Sequence, residues 1–448
     1  MDTAQQLGTG SVARLLWNFS LPAIVGMVVS ALYNIVDRIF VGHGVGLLGI
    51  SATTVAFPIS IIILAFGLLI GIGAAATISI KLGQGKHVEA EQILGNALIS
   101  SILISIFVTV LGLAFEEPLL RAFGASSEVL PLAKEFVTII IAGTVLQLIG
   151  LALNNIIRAE GNPRLAMVTM LIGAVLNAIF NPFFIFVLHL GIRGSALATI
   201  VSSTVSSAWV VAYFIGKKSL LKLKFENLRL RWTVVGQILA IGMAPFLFQL
   251  VASIITVAFN LSLESYGGDV AIAAMGIINS VSMLILMPVI GINQGAQPII
   301  GYNYGAGQLA RVKKTLELAI LGATAVTAGG FILVQLFPGA IMSIFAGPDK
   351  ALLEIGIPGL RIFLMMLPII GFQVVSSNYY QAIGKATASI LLTLSRQVIF
   401  LLPALLILPR FFKVPGIWAA GPVADFLASI LTAVFILREL HRIQEVGR

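Results

Sequence analysis

Ile93 to Phe115 reads ILGNALISSILISIFVTVLGLAF, a run of 23 residues with no charged side chain. At about 1.5 Å per helical residue, such a run crosses a hydrocarbon core of about 30 Å. Phe136 to Ile157 and Ala388 to Leu408 are of the same kind. The whole chain matches them: of its 448 residues 58% are hydrophobic and only 10% charged, with a mean hydropathy of +1.06, whereas a soluble domain carries about 25% charged residues. An ordinary soluble protein is excluded, and the fold class is an all-α polytopic membrane protein. The first apolar segment, Leu15 to Val41, is too long for a signal-peptide core and lacks a small-residue cleavage site, so it is expected to stay as a span. There is no cysteine, which excludes disulfides, thiolate metal sites and cysteine nucleophiles.

Apolar runs between charged or Gly/Pro-rich breaks predict spans near 15–41, 47–80, 93–115, 136–157, 165–188 and 194–216. Six more are predicted near 233–263, 270–301, 318–337, 362–382, 386–409 and 414–437. With twelve spans both termini lie on one side. If that side is cytoplasmic, 18 of the 27 Lys and Arg residues are cytoplasmic, seven are external, and Arg38 and Arg396 fall within spans. The positive-inside rule therefore expects cytoplasmic termini in a cell inner (plasma) membrane protein. The most basic stretch, Lys217 to Arg231, reads as a linker between halves. It serves either as a topological anchor or as a contact for anionic lipids.

The halves resemble each other. Lys81-Leu-Gly-Gln-Gly-Lys86 matches Asn303-Tyr-Gly-Ala-Gly-Gln308 at an offset of 222, and Pro22 with Pro245, Arg158-Ala-Glu-Gly161 with Gln381-Ala-Ile-Gly384, and Gly194 with Gly416 follow at 222 or 223. Six duplicated spans insert twice in the same orientation, so two six-helix lobes related by a pseudo-two-fold axis along the membrane normal are expected. The expected domains are 1–216, a basic cytoplasmic linker 217–231, and 232–448.

Of 18 acidic residues only Asp37 and Asp425 lie within spans. A carboxylate there costs at least about 2.5 kcal/mol and faces a polar interior, where it can carry a proton cycle. An ion pair of Asp37 with Arg38 is the alternative, but adjacent helical positions point about 100° apart. Asp425 reads equally as a functional group, a hydrogen-bonded structural carboxylate or a partner of Arg396. Asn177 and Asn181, four residues apart, share a helical face, as do Ser195 and Thr199. Pro182 has no N–H for the carbonyl of Ala178, leaving an oxygen free for a cation, a water or a side chain. These neutral oxygens suit hard cations, and equally suit hydrogen bonding between helices. Tyr33, Asn34, Gln147 and Asn154 in the first half, with Gln249, Asn260, Asn279, Gln294, Gln373 and Asn378 in the second, are candidates to line a central substrate cavity or to pack helices.

No Walker lysine pattern is present, and the four histidines lack metal-ligand spacing. An ATP-driven pump, a metalloenzyme and a hydrolytic triad find no support. A membrane enzyme would need His, Asp or Glu clustered at one interface. A lipid or lipid-linked oligosaccharide flippase would want a cationic cavity for a pyrophosphate, for which Arg38 and Arg396 are the only span cations.

Leu21-Pro22 followed by Tyr33-Asn34-Ile35-Val36-Asp37-Arg38-Ile39-Phe40-Val41-Gly42 resembles the first span of multidrug and toxic compound extrusion (MATE) transporters. Arg158-Ala-Glu-Gly-Asn-Pro163, Asn177 through Pro182 and Gly191 through Thr199 resemble that family's fourth to sixth spans, with the pattern nearest its DinF-type branch. The resemblance implies two six-helix lobes around a cleft that export small amphipathic organic cations, and a monomer is the expected state. It implies antiport driven by protons or sodium, with Asp37 as coupling carboxylate and Asn177, Asn181, Ser195 and Thr199 around it. Membrane lipids are the other expected contact, nucleic acid is not, no cofactor is needed, and the protein is not an enzyme. Many relatives carry a second carboxylate where this chain has Asn181, and the span-7 counterpart of Asp37 is Asn260. The proton is therefore the expected coupling ion, with sodium at Asp37, Asn177, Asn181 and Thr199 as the other candidate.

Overall fold

The computed structural model describes residues 3–346 and 349–446, and among them every regular element is helical. Span 1 is Val12–Val45, span 2 Leu47–Gly83 and span 3 His87–Ala122. Span 4 is a pair, Leu130–Ala142 and Thr144–Ala159, bent by 52°. Span 5 is Pro163–Pro182 continued by a π-helical turn, Phe183–Val187, and span 6 is Gly191–Ile215. The run Trp232–Gly305 breaks at Gly268 (φ 63°, ψ −165°) into spans 7 and 8. Span 9 is Leu309–Leu336, and span 10 is again a pair, Lys350–Phe363 and Leu367–Ala382, bent by 49°. Ala386–Leu394, the π-helical Ser395–Leu401 and a run to Val446 that breaks at Lys413 supply spans 11 and 12. Among the described residues eight helices are long and apolar enough to cross a membrane, ten when each bent pair is one span. The breaks at Gly268 and Lys413 divide two of these again, which makes the expected twelve.

Hydropathy placed the starts of spans 4 and 10 at 136 and 362, later than the structure does. Apolar windows register only the part that lies in hydrocarbon, whereas the helix continues wherever its ends are satisfied. At span 10 the carboxylate of Asp349 accepts from the Leu352 N–H at 3.2 Å. Span 4 bends at Gly143, where the carbonyl of Ile140 accepts from Thr144 Oγ1 at 3.4 Å and Gln147 Nε2 at 3.2 Å. Span 3 shows the inverted surface of a lipid-facing helix. Leu103, Ile106, Phe107 and Val110 are 50–60% exposed, while Ala97, Ser101 and Ser105 on the opposite side are buried.

Backbone geometry repeats the duplication. Left-handed φ recurs at Gly46 and Gly268, Gly85 and Gly307, and Gly161 and Gly384, pairs separated by 222 or 223 residues. Among the described residues the two non-glycine residues with positive φ, His189 and Lys413, lie 224 apart, at the turns into spans 6 and 12. Among the described residues these matched breaks mark equivalent corners of one six-helix motif used twice.

By proximity the chain forms two compact units, one holding residues up to Thr9 with Val25–Gln249 and the other Gly10–Ile24 with the chain from Leu250 onward. This division departs from the expected boundaries at 216 and 232. The basic stretch belongs wholly to the first unit, together with the start of span 7, while the start of span 1 belongs to the second. Glycines explain the exchange. A Cβ at Gly73 or Gly242 would lie 2.0 Å from the Ile238 carbonyl or 1.7 Å from that of Leu69, so spans 2 and 7 touch backbone to backbone in the first unit. In the second unit Gly291 and Gly295 of span 8 meet Ile24 and Ser20 of span 1 in the same way, at 2.7 Å and 2.6 Å from their backbone nitrogens. Each unit has its own apolar core, around Val137, Ile141 and Leu148 in the first and around Phe259, Leu360 and Trp418 in the second.

Candidate functional site

Asp37 projects from span 1 toward spans 5 and 6. Its Oδ1 accepts from Asn181 Nδ2 and, at 3.1 Å, from Ser195 Oγ. Asn181 and Ser195 are fully buried. No ion pair joins Asp37 to Arg38, whose guanidinium lies over the Phe57 ring, 5.7 Å from its centroid. One helical turn away a second tier repeats the pattern. Asn177 Nδ2 donates to Thr199 Oγ1 at 3.2 Å, and the Tyr33 hydroxyl lies 3.5 Å from the same oxygen. The spacing of four residues in each helix (33 and 37, 177 and 181, 195 and 199) stacks the tiers about 6 Å apart. Thr199 also donates to the carbonyl of Ser195 at 3.2 Å.

Local backbone features hold the three helices together. The π-helical turn follows Pro182, whose missing N–H breaks the ladder. A Cβ on Gly194 would sit 2.9 Å from the carbonyl carbon of Phe184, so only glycine lets span 6 lie against that turn next to Ser195. On the span 1 side Gly44 meets Ile185 of the same turn, and Gly26 meets the thioether of Met170. The arrangement sets a single carboxylate among neutral donors. Both amides turn their NH2 groups toward the cluster, which suits a charged carboxylate or a water; a hard cation would need the amide oxygens instead. Asn181 Oδ1 is buried and has no hydrogen-bond partner. Among the described residues no group of three or more His, Cys, Asp or Glu could hold a metal.

The coupling residues named from sequence thus meet, and Tyr33, expected in the substrate cavity, joins them. Its position four residues before Asp37 was the available signal. Gln147 serves the bend of span 4, and Asn154 ties span 4 to span 5 by donating to the carbonyl of Ala166 at 2.9 Å. Asn378 donates within its own helix to Val374 at 2.9 Å, and Gln373 is buried with Oε1 unpartnered. Asn260 and Asn279 are exposed, Gln249 and Gln294 half-buried, and the side chain of Asn34 lies outside the described residues. Asp425 takes the structural reading: its Oδ1 accepts from Arg396 Nε at 2.5 Å, joining spans 11 and 12.

The MatE family model matches residues 22–183 and again 245–406. The chain belongs to the MatE family. The two matched segments begin 223 residues apart, the offset seen in the turns and glycines. MatE relatives cover the chain almost end to end. A multidrug export protein MepA of Staphylococcus haemolyticus is 25% identical over 431 residues, 96% of this chain and 94% of that protein. The MATE multidrug transporter DinF-BH, solved in complex with a ligand, is 38% identical, covers 96% of both chains and superposes with a TM-score of 0.90. An outward-facing MATE transporter of the MOP superfamily, 25% identical, covers 99% of this chain and 98% of its own, with a TM-score of 0.92. The protein is accordingly a multi-pass MATE transporter of the multidrug efflux type, with the twelve helices and two lobes of that fold.

Proposed function

We propose that this MATE transporter exports small amphipathic organic cations, working as a monomer in antiport with protons through Asp37. The observation that carries the reading is the span carboxylate of Asp37, held by two buried neutral donors, Asn181 and Ser195. A negative charge among neutral groups attracts either a cation or a proton, and binding one displaces the other; that competition is what antiport requires. The higher identity to DinF-BH than to MepA, 38% against 25%, supports the DinF-type branch.

The coupling step follows from hydrogen-bond accounting. Charged Asp37 only accepts, and it takes the N–H of Asn181, which leaves Asn181 Oδ1 buried and unsatisfied at about 1–3 kcal/mol. A protonated Asp37 becomes a donor. Turning the Asn181 amide then lets Oδ1 accept that proton, and the direct hold on a cationic substrate is gone. The single formal charge of the site, with the neutral Asn181 beside Asp37, favours the proton over sodium as coupling ion. Arg396 is already paired with Asp425, and Arg38 is stacked on Phe57, so neither supports a pyrophosphate site for a flippase. The basic stretch Lys217 to Arg231 favours cytoplasmic termini in the plasma membrane.

The test is efflux of ethidium, a fluorescent amphipathic cation, from proteoliposomes under separately imposed proton and sodium gradients. Transport driven by the proton gradient alone, and abolished in Asp37→Asn that still inserts normally, is the expected result. Unchanged efflux in that variant, or efflux driven by neither gradient, overturns the proposal.

A further inference from the structure

The basic stretch is no free linker. The buried carboxylate of Glu160, at the end of span 4, accepts from Tyr213, from Ser219 Oγ at 2.8 Å and from the Leu221 N–H at 3.4 Å. Glu91 of span 3 accepts from the Lys222 N–H at 3.2 Å and from Lys224 Nζ at 2.6 Å. Farther along, the Arg231 N–H and guanidinium donate to Asn96 Oδ1 at 2.7 Å and Gln92 Oε1 at 2.8 Å, and a Cβ on Gly95 would lie 2.2 Å from the Asn227 carbonyl. Ser219 and Leu221 are buried beneath the strap. The segment is therefore clamped along its length to spans 3, 4 and 6.

What the clamp presents outward is chemically specific. Phe225, in the short 3-10 helix Phe225–Leu228, is 89% exposed, and Trp232, the first residue of span 7, is 76% exposed. Lys217, Lys218 and Arg229 are exposed and make no ion pair or hydrogen bond among the described residues. Six cations face one acid, Glu226, between Lys217 and Arg231. Both ends of the strap are ends of spans, Ile215 and Trp232, which keeps it at headgroup level. An ordering of this kind serves no purpose for a tether, and large exposed rings beside unpaired cations suit a surface that is apolar within and anionic at its rim.

We propose that Lys217–Trp232 is a docking surface for anionic phospholipid, with Phe225 and Trp232 inserted at the acyl boundary and Lys217, Lys218 and Arg229 on the headgroup phosphates. The site is independent of the Asp37 chemistry. Each cation near an anionic leaflet strengthens association about fivefold, so three set an upper range of about a hundredfold.

The experiment uses the full chain in vesicles with brominated phosphatidylglycerol or brominated phosphatidylcholine as the quencher. The Trp232 signal is the difference between the wild type and Trp232→Phe. A preference for the anionic lipid of about tenfold or more is expected, weakening at high salt as charge is screened. Lys217→Gln with Lys218→Gln and Arg229→Gln should remove the preference, while Lys217→Arg with Lys218→Arg and Arg229→Lys should keep it. Equal quenching by the two lipids, or a preference that survives the Gln variant, overturns the proposal.

Discussion

Gly242→Ala tests whether the exchanged start of span 7 is held by direct backbone contact. The added Cβ would lie 1.7 Å from the Leu69 carbonyl oxygen, and a real Cβ needs at least 3.0 Å. The obstacle is backbone on a second helix, so no side-chain rotation relieves it, and the helices must separate by more than an ångström. A gap of 0.5–1 Å already forfeits about a quarter to a half of each dispersion contact, and overpacking of this kind costs about 3 kcal/mol. For a unit of this size that lowers the melting midpoint by about 6–12 °C. The control is Gly236→Ala, in the same helix, where an added Cβ meets nothing within 4 Å. It should leave the midpoint unchanged or raise it slightly, because alanine is the better helix former by up to about 1 kcal/mol. The assay is the thermal midpoint of detergent-solubilised protein followed by size-exclusion recovery. Equal midpoints for the two variants would refute the backbone contact.

Arg396→Gln leaves Asp425 charged and buried, which costs about 3–5 kcal/mol, and adding Asp425→Asn should recover most of it; thermal midpoints of the single and double variants check both. Burial pushes Glu160 up to about 7, outranking the hydrogen bonds from Tyr213 and Ser219 that pull it down. Its carboxyl therefore binds a proton in the folded state that the unfolded chain, near 4.5, releases; stability falls as pH rises from about 4.5 to 7, by about 3 kcal/mol in all. Melting scans between pH 5 and 8 should show that slope in the wild type and a flatter one in Glu160→Gln. Asn181→Ala removes a hydrogen bond to a charged group, about 1.5–3 kcal/mol, whereas Asn177→Ala removes a neutral one near 1 kcal/mol. Ethidium efflux should accordingly fall further in the Asn181 variant, and the reverse order would contradict the tier assignment.

Much of this was legible before any folding. Ile93 to Phe115 needs no partner to declare itself a span, because hydrocarbon tests each segment separately by its own backbone and side chains. The offset of 222 or 223 was equally visible, since a repeated motif needs its corner glycines again in the same places. Asp37 stood out because charge in a span is expensive wherever it points. The candidate cavity residues were less legible: Gln147 and Asn154 spend their amides on helix backbone, a use that composition does not distinguish from contact with a substrate.

By itself, then, the sequence determined the number of crossings, the duplication and the rare carboxylates placed within spans. These are one-dimensional properties, set by the transfer of segments into lipid and by local backbone geometry. Tertiary structure alone decided that Tyr33, Asn177 and Thr199 stack one turn from Asp37, Asn181 and Ser195, that the starts of spans 1 and 7 change units, and that a basic linker is clamped by Glu91 and Glu160. Each of these depends on which helix faces which, and that is fixed by close approach at glycines and by hydrogen bonds between residues far apart in the chain, a kind of information no window along the sequence contains.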